Sequence, residues 1–118
     1  MPSPAHIVGT ESPQGIMVHL ADTSLTLLHQ ATAQAGVFDL VSIWAVNVHA
    51  TDDETLSIFW AGDTDPACKI PVKCVAGSGP VAVVPGWPIE RGLTIKAKAA
   101  VGAVLNIITI VNPISSYQ

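Results

Sequence analysis

The residue types best suited to proton transfer and metal binding are the four histidines, His6, His19, His29 and His49. A metal centre needs three or four such ligands at one point. If residues 16–30 form a hairpin about Asp22-Thr23, His19 and His29 fall on offset pairs and do not meet. His6 lies in a proline-rich leading stretch. Around His49, the run Val46-Asn47-Val48-His49 lacks the two histidines one residue apart, followed by a glutamate, that mark a cupin-type metal site. The four read as isolated surface or partly buried side chains, and no metal or other cofactor is expected.

The acidic residues cluster in two places, Asp52-Asp53-Glu54 and Asp63/Asp65. Hard cations want several oxygen ligands, but these loops cap opposite ends of one strand, roughly 20 Å apart at ~3.3 Å per residue. They read as solvated turns. Glycosidase carboxylates must face each other within ~5–10 Å, and Glu90 beside Arg91 reads as an ion-paired turn residue. Gly77-Ser78-Gly79-Pro80 lacks the helix that follows a nucleophile elbow. On one strand Cys68 and Cys74 lie roughly 20 Å apart, beyond disulfide reach; a tight hairpin is the alternative that would bring them together, and Pro71 between β-formers favours the strand. Free thiols and no zinc site follow, and the chain is not expected to be an enzyme.

Three tryptophans remain. Trp44 and Trp60 alternate with Leu, Val and Ile and read as core. Trp87, in Pro85-Gly86-Trp87-Pro88, sits between rigid prolines in a segment expected to turn. It is the best candidate anchor for a partner, sugar or protein, since large aromatics give binding energy at low entropy cost. The competing reading folds it down as a plug at the end of the fold.

The elements that must position these groups are strands. Runs rich in Val, Ile, Thr and aromatic residues cover 37–50, 54–60, 69–74, 80–85, 93–101 and 103–111, separated by Gly, Pro and Asp turns. Residues 16–20 and 25–30 read as two strands of a hairpin; a helix capped by Ser24 is the alternative. The run 37–50 is apolar on both faces, so it belongs in mid-sheet or under a subunit interface, and 54–60 is expected to return antiparallel beside it. Pro71 marks 69–74 as an edge strand. The expected fold is all-β: an antiparallel two-sheet β-sandwich, with a jelly roll as one arrangement, over residues 16–118. Residues 1–15 are expected to form an extended N-terminal arm.

The 118 residues carry a net charge of −4, and 12% are charged, about half the usual ~25%. So little charge leaves neutral surface that copies of the chain or a larger assembly would cover. Four lysines, on two strands, make no stripe, so nucleic acid is not an expected partner. No signal peptide or membrane span is visible, which suggests synthesis in a cytoplasm and no membrane partner. The expected partner-binding residues are Trp87, Val41 and Ile43, with Pro2 and Pro4 in the arm.

The order of signals resembles small β-sandwich virion proteins of tailed bacteriophages. It runs from residues 37–50, with Asn47 near the end, through 54–60 and Val83-Val84-Pro85. Arg91-Gly92-Leu93-Thr94-Ile95-Lys96-Ala97 follows, and the pattern closes on 105–111. The resemblance spans about residues 26–114 and lies in strand lengths and turns. It implies a capsid decoration (cement) protein on the virion surface, a homotrimer that binds the major capsid protein and stabilises the shell. The alternative is a carbohydrate- or receptor-binding module of a fibre or tail.

Overall fold

Alternating apolar runs broken by Gly, Pro and Asp give eight strands in a computed structural model, which describes residues 16–31, 33, 37–77 and 79–115. They are β1 (Ile16–Leu20), β2 (Thr26–Gln30), β3 (Val37–Asn47), β4 (Glu54–Trp60), β5 (Lys69–Cys74), β6 (Val81–Ile89), β7 (Thr94–Ala99) and β8 (Leu105–Ser115). All pairings are antiparallel. They form a first sheet ordered β1-β8-β3-β6 and a second ordered β2-β7-β4-β5. The arm, with Pro2 and Pro4, lies outside the described residues.

The sheets pack face to face over Val41, Ile43, Ala45, Leu105, Ile107 and Val111 from the first and Leu56, Ile58, Ile95, Ala97 and Ala99 from the second. Each larger aliphatic side chain buried there contributes about 1.5–3 kcal/mol. β3 shows how period-2 alternation sets the layers. Asp39, Val41, Ile43, Ala45 and Asn47 are buried, whereas Phe38, Leu40, Ser42, Trp44 and Val46 point outward and are exposed or half-buried.

Two expected neighbours are not neighbours. β1 and β2 are both strands, but they pair with β8 and β7 in opposite sheets rather than forming a hairpin. Leu20 and Leu28 are both buried in the core; entering it from the two sides, they use up the apolar face each short strand offers. Likewise β4 does not return beside β3. It lies between β7 and β5 in the second sheet, and the crossover is fixed by buried Asn47. The Asn47 amide donates to the Asp52 carbonyl at 2.9 Å and the Cys74 carbonyl at 2.8 Å. Its side-chain oxygen accepts from the His49 amide at 2.9 Å.

The expected turn at Pro85-Gly86-Trp87-Pro88 is instead part of β6. One register shift against β3, between Val41 and Ser42, absorbs it; a second lies between Ile43 and Trp44. Gly86 sits there at φ 96°, a conformation that only glycine adopts freely. As an edge strand β6 tolerates prolines, whose missing N–H groups break no ladder in the interior. β5 is also an edge strand, as Pro71 indicated.

Candidate interaction surfaces

The outward residues of the first sheet form an almost uncharged face. Across β1, β8, β3 and β6 the register sets Met17, Ile108, Trp44 and Ala82 in one row. Ser42 lies between Ile110 and Pro85, Leu40 between Asn112 and Pro88, and Phe38 opposite Ile114. Met17 (59%), Phe38, Ile110 and Ile114 are among the exposed large apolar side chains of the described residues. No Asp, Glu, Lys or Arg stands at an outward position of the four strands. At one end His19 Nδ1 and Asn106 Oδ1 bond at 2.6 Å.

The opposite face differs in kind. Lys96 and Lys98 on β7 and Lys69 and Lys73 on β5 alternate with inward residues, so all four lysines of the chain lie on the outer face of the second sheet. Sequence spacing showed each pair sharing a face but not that β4 alone separates them; they do make a basic face. The two acidic loops fold onto it. Asp63 reaches Lys96 at 2.8 Å, Asp65 reaches Lys69 at 3.4 Å and Asp53 reaches Lys73 at 3.3 Å. Among the described residues Lys98 has no ion pair. It borders a groove of about 240 Å³ with Thr55, Ser57, Phe59, Asp65 and Lys69. Phe59 is on this outer side of β4 yet is 5% exposed, in keeping with the ion-paired loop between β4 and β5. The Ala76 amide and the Lys73 ammonium hold the Asp53 carboxyl below its ordinary value.

The anchor candidates separate. Val41 and Ile43 are fully buried between the sheets, so neither can touch a partner; it is the opposite side of β3, with Trp44, that faces out. Trp44 is therefore outer surface and not core. Trp87 pairs in register with Val41 and meets Trp60 across the two sheets in a T-shaped contact, ring centroids 5.6 Å apart. Trp60 packs against the core as expected, while Trp87 remains 40% exposed, so it is both a contact between the sheets and partly surface.

One buried pair was not legible. His29 Nε2 on β2 and Asp39 Oδ2 on β3 bond at 2.8 Å across the core, with side chains at most 1% exposed. No spacing rule links them, because β2 and β3 belong to different sheets. The pair ties the layers together. His49 is likewise committed locally, its Nδ1 accepting from the Thr51 and Asp52 amides at 3.2 and 3.0 Å. Both cysteines are free, and burial pushes the Cys74 thiol up. Among the described residues no group of three or more His, Cys, Asp or Glu could hold a metal ion, and no helix is long and apolar enough to cross a membrane. Neither a protein-family model, nor a curated protein, nor a solved structure matches the chain.

Proposed function

We propose that this chain is a structural protein of a bacteriophage virion, a capsid decoration (cement) protein that binds the major capsid protein and stabilises the shell. The observation that carries the reading is the nested pairing of the strands: β4 with β5, β3 with β6, β2 with β7 and β1 with β8. The chain is one long hairpin, tip at β4–β5, rolled up so that β3 meets β8 and β4 meets β7. We read this as a jelly roll, a fold used in viral capsids, lectins and cupins. Fold analogy alone is a weak warrant for function, and the surface narrows the choice. A broad uncharged sheet face suits contact with protein. A sugar site needs an open aromatic beside polar groups, and Trp87 is partly taken up by Trp60.

Image reconstruction of purified particles that carry the chain tests the reading. The expected result is an eight-stranded density outside the shell in contact with the major capsid protein. Stripping the protein should lower the temperature at which the shell opens. Density confined to the tail or a fibre tip, or glycan-array binding by the purified protein, would overturn the proposal.

A further inference from the structure

We infer that the outer face of the first sheet is covered by the same face of a second copy of this chain. The inference concerns the sandwich alone and holds whichever particle the protein joins. Four strands about 4.8 Å apart, two of them 11 residues long, give a face of about 600 Å² before side-chain relief is counted. Relief brings this close to the ~800 Å² per partner of a stable interface. A smaller partner would leave Met17, Phe38, Ile110 or Ile114 in water.

Self-pairing of this face costs little electrostatically. With no Asp, Glu, Lys or Arg on the outward positions, two copies bring no such charges together and desolvate none. The second sheet is less suited to pairing this way, since two copies would have to desolvate Lys98 and three lysine–aspartate pairs. The His19–Asn106 bond at 2.6 Å provides a partner for two polar atoms at the end of the face before it is covered. Two sheets stack about 10 Å apart with strands within ~30° of each other, which places Trp44 and Ile108 near the centre of the contact. A single flat patch that meets its own copy closes as a two-fold dimer, whereas a trimer requires two different patches.

Sedimentation velocity on the full chain at about 20 µM tests this, in the micromolar range where weak specific pairs populate. The expected species has twice the 12.3 kDa chain mass. Ile110→Lys, or Ile110→Thr should the lysine variant not fold, should weaken association at least tenfold with the far-ultraviolet spectrum unchanged. Leu27→Lys, on the second sheet, should remain dimeric. A monomeric or trimeric wild type would overturn the inference. So would dissociation caused by Leu27→Lys but not by the Ile110 variant.

Discussion

Asp39 and His29 illustrate what a single residue contributes here. Both are buried, and their 2.8 Å bond crosses from one sheet to the other. Removing Asp39 takes away the bond of the His29 ring where water cannot replace it, which costs about 3 kcal/mol. Asp39→Ala should therefore lower the urea midpoint strongly. The double variant His29→Leu/Asp39→Leu should be less destabilised than Asp39→Ala, because the His29 ring is no longer left buried without its carboxylate. Equal loss in the single and double variants would show that the pair is not the source of the effect. Asp53 makes a smaller, pH-dependent contribution. Its folded-state carboxyl titrates below the ordinary value of 3.8 because the Ala76 amide and Lys73 favour the anion. That contribution is present above 3.8 and disappears as pH falls through the lowered folded-state value. Wild type should melt above Asp53→Asn near neutral pH, with the gap closing in acid. A gap that persists at low pH would assign the effect to packing.

At the scale of the element, connectors decide which sheet each strand joins. The turn after β1 runs against the connector between β7 and β8, where the Ala103 amide donates to the Leu20 carbonyl at 2.8 Å. A Cβ on Gly102 would stand 2.9 Å from the Ala21 carbonyl oxygen and 2.9 Å from Asp22 Cα. Both are backbone atoms that cannot rotate aside. Gly102→Ala should cost about 1–3 kcal/mol through forced backbone movement. Gly92→Ala should cost only about 1 kcal/mol of left-handed backbone strain, since Gly92 has φ +78° and open space around it. Chemical denaturation of the two variants checks the order, and a larger loss for Gly92→Ala would contradict the close approach. β6 carries the complementary lesson. Pro85, Gly86 and Pro88 spell a turn by composition, yet the ladder with β3 continues to Ile89 because the bulges take up the misfit.

For the molecule as a whole, the two outer surfaces and the layer between them have separate roles, and substitutions report on them separately. Val41→Asp would bury a carboxylate where Val41 is fully enclosed, at a cost of several kcal/mol. It should abolish the cooperative melt rather than dissociate a folded oligomer. A folded monomeric Val41→Asp variant would return β3's inner side to the surface. The sequence by itself determined that the second half is a series of strands, though not how far β6 runs, together with the all-β class and the edge position of β5, because alternation, β-branched content and Pro71 are local signals. The separation of the cysteines followed from strand length alone. Only the tertiary structure decided which strands are neighbours, since β1/β2 and β3/β4 look like hairpins until the two sheets compete for their apolar sides. That competition also decided which side of β3 is core. Val41 and Trp44 are equally apolar in sequence, and packing against β4 and β7 buried one side and exposed the other. The lysine face and the His29–Asp39 bond arise in the same way, from residues far apart in the chain brought side by side by the pairing of whole strands.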